Sequence, residues 1–145
     1  MRQRLLGIAL ICTAASLAAQ SSRIYKARLA PVPIDVSMQA TIAGAGGITA
    51  TRAGGKLTLS GTFEGLRSAA TIAQLHKGPV TGVRGPAVGD LVVTKGTSGS
   101  ISGAIDLTTT LADDLDKGRL YVQLHSEGAP DGNLWGWLLA QESRR

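Results

Sequence analysis

The chain has 145 residues, of which 43% are hydrophobic, 17% charged and only 3% aromatic. That is enough apolar material for one aliphatic core, and it excludes wholesale disorder. Nineteen glycines and five prolines point to many turns and exclude a fold of long amphipathic helices. The formal charge of +5 is carried by scattered residues such as Arg23, Arg52, Arg67, Lys77 and Lys95. Without clustering or interleaved aromatics these do not form a nucleic-acid-binding stripe.

The N-terminus reads as a leader. Arg2 and Arg4 precede an apolar run, Leu5 to Ala15, and a small-x-small Ser16-Leu17-Ala18. This order predicts a secretory signal peptide over residues 1–19 and an exported product, periplasmic or secreted. The run is shorter than the ~20 apolar residues of a membrane helix, and no other stretch approaches that length. Cys12, the single cysteine, follows Ile11 inside the run, where a lipid-anchor signal requires a small residue. Removal of the leader takes away the only thiol, and with Arg2 and Arg4 the charge falls from +5 to +3. A single β domain over residues 20–140 and a tail over 141–145 remain, with neither disulfide nor cysteine metal site.

Periodicity along the mature chain is mostly two. Tyr25, Ala27 and Leu29 alternate with Lys26 and Arg28 up to the Pro31-Val32-Pro33 break. Ile42 to Thr51 is β-prone but diluted by Gly44, Gly46 and Gly47, and Gly54-Gly55 predicts a hairpin turn. Leu57, Leu59, Gly61 and Phe63 then share one face, with Thr58, Ser60, Thr62 and Glu64 on the other. Further strands are expected at Thr71–His76, Ala87–Val93, Ser100–Thr108, Leu120–His125 and Leu134–Ala140. One helical turn near residues 110–117 has Thr110 as N-cap, Leu111 and Leu115 on one side, and Gly118 as its stop. Asp113, Asp114 and Asp116 read as its solvated face, since their spacing fits no EF-hand loop. Seven or eight short strands between Gly-rich turns predict an all-β, two-sheet antiparallel Greek-key-like sandwich. The expected core is Leu57, Leu59, Phe63, Ile72, Ile101, Ile105, Val122 and Leu124, with Ala73 and Leu75 competing against Ile72 for the inward face.

An internal echo joins the only two histidines. Gln74-Leu75-His76 runs into Gly78, Pro79 and Gly82, and Gln123-Leu124-His125 into Gly128, Pro130 and Gly132. The pair is too brief to prove duplication, but it predicts that Gln74, His76, Gln123 and His125 build one strand-end rim.

Several pieces from Tyr25 to Leu139 resemble the CHRD domain, the module named from chordin and common in exported bacterial proteins. They are Gly61-Thr-Phe-Glu-Gly-Leu66, Ala73-Gln-Leu-His-Lys-Gly78, Gly85-Pro-Ala-Val88, Gly118-Arg-Leu-Tyr-Val-Gln-Leu-His125 and Pro130-Asp-Gly-Asn-Leu-Trp-Gly136. The resemblance implies an all-β, Greek-key-like, extracytoplasmic interaction or structural module without established enzymatic chemistry. Two departures stand out. Gln74 occupies the place of the family's first histidine, and Trp135 and Trp137 occupy places where the family carries Arg and a polar residue.

Little in the chain supports catalysis. Ser126 follows His125 directly, but neighbours on a strand face opposite ways, and neither a nucleophile elbow nor a phosphate loop is present. A copper or zinc site would begin with His76 and His125 and need Asp90, Glu127 or Asp131 to complete it. The reading favoured over it, which needs no cofactor, has each imidazole bonding a loop carbonyl and fixing its turn. Leu134, Gly136 and Leu138 share one face of the last strand, and Trp135, Trp137 and Leu139 the other. An apolar surface of that kind is expected to meet a partner. The function expected from sequence is therefore a non-enzymatic extracytoplasmic binding or structural module, for instance an accessory subunit of an envelope complex. A metalloprotein and a self-associating surface β-domain are the alternatives; the sequence names no protein partner, and no nucleic acid or membrane span is expected after leader removal.

Overall fold

The computed structural model describes residues 21–142, so the expected signal peptide and the last three residues lie outside the described residues. Nine strands and one helix follow in chain order: β1 (Ser22–Pro31), β2 (Ala45–Ala53), β3 (Lys56–Glu64), β4 (Ala70–Lys77), β5 (Ala87–Val93), β6 (Gly99–Asp106), α1 (Thr109–Asp116), β7 (Leu120–Ser126), β8 (Ala129–Trp137) and β9 (Leu139–Ala140). A 3-10 turn, Val36–Met38, interrupts the long link from β1 to β2, with Asp35 as its N-cap. Most strands form near where the alternation predicted them. However, β2 begins at Ala45 rather than Ile42, and the expected last strand, Leu134–Ala140, is divided between β8, which begins at Ala129, and the short β9. Gly54, at φ +59°, turns the β2–β3 hairpin in a conformation that side chains resist.

The all-β expectation holds, but the two-sheet sandwich does not. Around the molecule the order is β1-β2-β3-β6-β5-β4-β7-β8, and β8 pairs again with β1. Two strands change partners along their length. β1 pairs with β2 over Ser22–Leu29, and its Ala30 and Pro31 pair with Trp135 and Leu134 of β8. β5 pairs with β4 from Ala87 to Leu91 and with Ser102 and Ile101 of β6 through Val92 and Val93. These two corners join the expected sheets into a closed, eight-stranded antiparallel barrel, which removes the unpaired edges a sandwich exposes. The order β3-β6-β5-β4, followed by β7, contains the Greek-key arrangement in which a non-consecutive strand lies beside a three-strand meander.

The barrel interior is aliphatic. Leu57, Leu59 and Phe63 of β3 meet Leu29, Leu75, Ile101, Val122, Leu124 and Leu134 in one continuous core. Ile72 is the exception among the expected core residues, at 50% exposed. A register shift between Ala70 and Ile72 sets the parity of β4 so that Ala73 and Leu75 point inward and Ile72 outward. Ile105 packs against the core without being fully buried.

Helix α1 closes one end, inserting Leu115 into the core. Its N-cap is Thr108 rather than Thr110: the Thr108 hydroxyl accepts from the Leu111 amide at 3.1 Å, so the helix begins two residues earlier than expected. The acidic face is also not simply solvated. Asp114 is buried and paired with Lys77 at 2.7 Å and Arg119 at 3.3 Å. Asp116 accepts from the Tyr25 hydroxyl at 2.5 Å and bridges Arg23 and Arg52. Asp113 keeps an exposed pair with Lys117. The helix is thereby clamped to β1, β2 and β4 by charge-assisted bonds that periodicity does not reveal.

Candidate functional site

The outer face of β4, β7 and β8 carries a second layer. On β7, Leu120, Val122 and Leu124 point into the barrel while Tyr121 and Gln123 point out, yet all five are buried. Burial on both faces requires a cover, and the loop from Gly78 to Pro86 supplies it. The Gly85 amide donates to the Tyr121 hydroxyl at 3.0 Å, and the Gly85 carbonyl accepts from that hydroxyl at 3.1 Å. The Gly78 amide donates to the Arg119 carbonyl at 2.8 Å, tying the start of the loop to the strand below.

Register explains how the two histidines meet. Antiparallel pairing sets Gln74 opposite Gln123, His76 opposite Tyr121 and Ile72 opposite His125. All four candidate residues, Gln74, His76, Gln123 and His125, therefore lie on this outer face, and the imidazole centroids are 6.4 Å apart. The turns that follow the two histidines lie at opposite ends of the ladder. The rings thus meet across a sheet face by leaning over Gln123, not on a rim built from both turns.

Each imidazole is held by its Nδ1. His76 Nδ1 lies 2.9 Å from the Gly85 carbonyl and His125 Nδ1 lies 2.8 Å from the Pro130 carbonyl. A carbonyl only accepts, so both Nδ1 atoms carry the proton and both Nε2 atoms present a lone pair when the rings are neutral. His125 Nε2 accepts from the Gln123 amide at 3.3 Å, an amide that also donates to the Asp131 carbonyl. His76 Nε2 is buried without a partner. Burial in the first place, with the nearby charges of His125 and Arg84 acting the same way, holds the His76 pKa below the usual imidazole value, against the opposing pull of the Gly85 bond. Gln74 is engaged elsewhere, donating to Asp90 on β5 at 2.8 Å.

The tryptophans extend the layer. His76 stacks on Tyr121 at 5.0 Å; Trp137 lies 4.4 Å from Tyr121, and Trp135 meets both Tyr121 and Trp137 edge-on at 5.7 and 5.6 Å. Trp135 also touches a small satellite core of Val32, Ile42 and Ala129, and Arg84 lies over its ring. Neither indole is a free ledge: both are half-buried, with the 32–42 segment on one side and the 78–86 loop on the other. Leu139 remains 50% exposed. Of the carboxylates proposed to complete a metal site, Asp90, Glu127 and Asp131 are exposed, and no group of three His, Cys, Asp or Glu side chains converges among the described residues. Sequence reasoning missed Tyr121, Arg84 and Gly85. The signal for Tyr121 was the apolar stretch Leu120 to Val122, which breaks the alternation expected of a strand with one wet face.

Comparison with protein families finds that residues 26–138 match the CHRD domain. The match spans most of the chain, which therefore belongs to the CHRD domain family, a family of non-enzymatic, typically extracellular modules. Comparison with curated proteins and with solved structures returns no match. No helix among the described residues is long and apolar enough to cross a membrane.

Proposed function

We propose that this CHRD domain is an exported binding module that docks a protein partner, as an accessory subunit of an envelope complex, through the apolar patch that borders Trp137. The observation that carries the reading is the cluster of exposed aliphatic side chains there: Val80 at 53%, Val83 at 46% and Leu139 at 50%. Their continuity follows from close approaches. A Cβ on Gly78 would meet the Trp137 ring at 2.7 Å, and one on Gly118 would meet both Leu139 and Thr81 at 3.2 Å. The 78–83 loop, β9 and the edge of the aromatic layer thus share one surface. Apolar side chains gathered beside a half-buried indole, with polar backbone at the rim, are the composition of a protein-docking surface.

A role in binding rather than chemistry accords with the state of Ser126, which is buried and bonded to Asn133. Its test is in-cell crosslinking of the native envelope with Val80→Asp combined with Leu139→Asp. Both side chains are surface residues, so the variant is expected to fold and to lose its crosslinked partner. An unchanged crosslinking pattern would sink the proposal. A crosslinked species of twice the chain mass would make the patch a contact between copies, which sedimentation of the purified protein would report independently.

A further inference from the structure

The outer layer contains buried polar atoms that nothing in the fold satisfies: His76 Nε2, Gln123 Oε1 and Trp137 Nε1. Native structures pair nearly all such atoms, so orphans grouped on one face point to something bound there. His76 is only 9% exposed, and its Nδ1 proton is committed to Gly85, which leaves Nε2 as an unprotonated lone pair facing away from that carbonyl. His125 is built the same way, with its Nδ1 proton committed to Pro130 and only a long 3.3 Å bond at Nε2. A backbone carbonyl on Nδ1 is how proteins orient an imidazole that ligates a metal through Nε2. An ion about 2.0–2.1 Å from each Nε2 would set the ring centroids about 5 Å apart at a tetrahedral angle and about 6.4 Å apart with the nitrogens collinear. The observed separation of 6.4 Å lies at the outer limit of that range, so an ion held by both rings would have to be bridged linearly.

Charge decides which ion. Among the described residues no third histidine or carboxylate converges on the pair, and Asp90 is occupied by Gln74. The Arg84 guanidinium lies nearby, over Trp135. A divalent ion here would keep its charge uncompensated beside a fixed cation and lack the three or four ligands it prefers. Copper(I) carries one charge and is satisfied by two collinear nitrogen donors. We infer that His76 and His125 form a two-coordinate copper(I) site on the outer face of β4 and β7. The site stands apart from the apolar docking patch, and either can fail without the other.

The probe is copper(I) itself, generated with ascorbate and competed against bicinchoninate. The full chain is used with Cys12→Ser, so that its single thiol does not bind the ion. One copper(I) per chain is expected, held more tightly than zinc titrated separately. His125→Ala, at a partly exposed position, should weaken binding about tenfold or more while the metal-free chain still folds. His76→Gln should do the same; should that variant fail to fold, His125→Ala decides alone. Failure to hold copper(I) against the competitor would overturn the site and leave a bridging water as the partner of the orphaned atoms. Unchanged binding in His125→Ala, or zinc binding tighter than copper(I), would overturn it equally.

Discussion

β3 and β7 run through the same barrel under opposite conditions. Along β3, buried Leu57, Leu59 and Phe63 alternate with exposed Lys56, Thr58, Ser60 and Glu64, because its outer face meets water. Along β7 every residue from Leu120 to Leu124 is buried, because the outer face lies beneath the 78–86 loop and beside two tryptophans. The fold needs one buried face per strand. The second buried face on β4, β7 and β8 is surplus to closing the barrel, and it holds both histidines, the aromatic cluster and the unsatisfied polar atoms. Function in this molecule is sought where the alternation breaks down.

Substitutions on the two faces sharpen that contrast. Leu124→Ala, inside the barrel on β7, should cost about 2–5 kcal/mol in urea unfolding, since it opens a cavity in a core that cannot fully collapse. Trp137→Ala, on the outer layer of the neighbouring strand, should cost about 2 kcal/mol, less than a fully buried indole but well above a surface change. Thr58→Ala on the wet face of β3 should fall within about 0.5 kcal/mol of the parent. If Trp137→Ala behaves like Thr58→Ala, the outer layer is no second core.

Titration probes the same contrast more gently. The Lys77 hydrogen bond, and then that of Arg119, hold the Asp114 carboxyl below its ordinary value. The stability this contributes is present above the ordinary carboxylate pKa of about 3.9 and is lost as pH falls through the lowered folded value. His76 has the same sign for a different reason, as burial disfavours its charged form. Between the lowered folded pKa and the ordinary value of about 6.5, the unfolded chain takes up a proton that the folded chain refuses, so stability declines as pH falls through that window. His76→Gln should remove this slope below neutrality and leave the acid limb due to Asp114. A slope that survives the substitution would assign it to another group.

How much of this was legible in the sequence depends on how far apart the cooperating residues lie. β1, β3 and β5 were readable because alternation is local, as were the Gly54 turn and the Gly118 stop, the latter at φ +70°. Ile72 was placed inward although Ala73 and Leu75 offered the opposite parity, and the strand takes the parity of those two after a register shift that follows Ala70. β8 begins at Ala129, five residues before the expected Leu134, since Pro130 and Gly132 read as a turn although their neighbours pair with β7. Barrel closure was illegible: it depends on Ala30 and Pro31 reaching Trp135 and Leu134, more than a hundred residues along the chain. The face shared by His76 and His125 was glimpsed through the Gln-Leu-His echo, but the covering loop and Tyr121 emerge only when β4 and β7 are laid side by side.

The central claim is that the outer face of β4, β7 and β8 is a second, ordered layer with both imidazoles locked through Nδ1. Long-range proton–nitrogen NMR of the histidine side chains tests it most directly. The account predicts that the neutral rings of His76 and His125 carry their protons on Nδ1 and leave Nε2 unprotonated. Cross-relaxation is expected between the His76 and Tyr121 rings, 5.0 Å apart. Nε2-protonated rings, or a His76 imidazole that titrates freely with no contact to Tyr121, would contradict it.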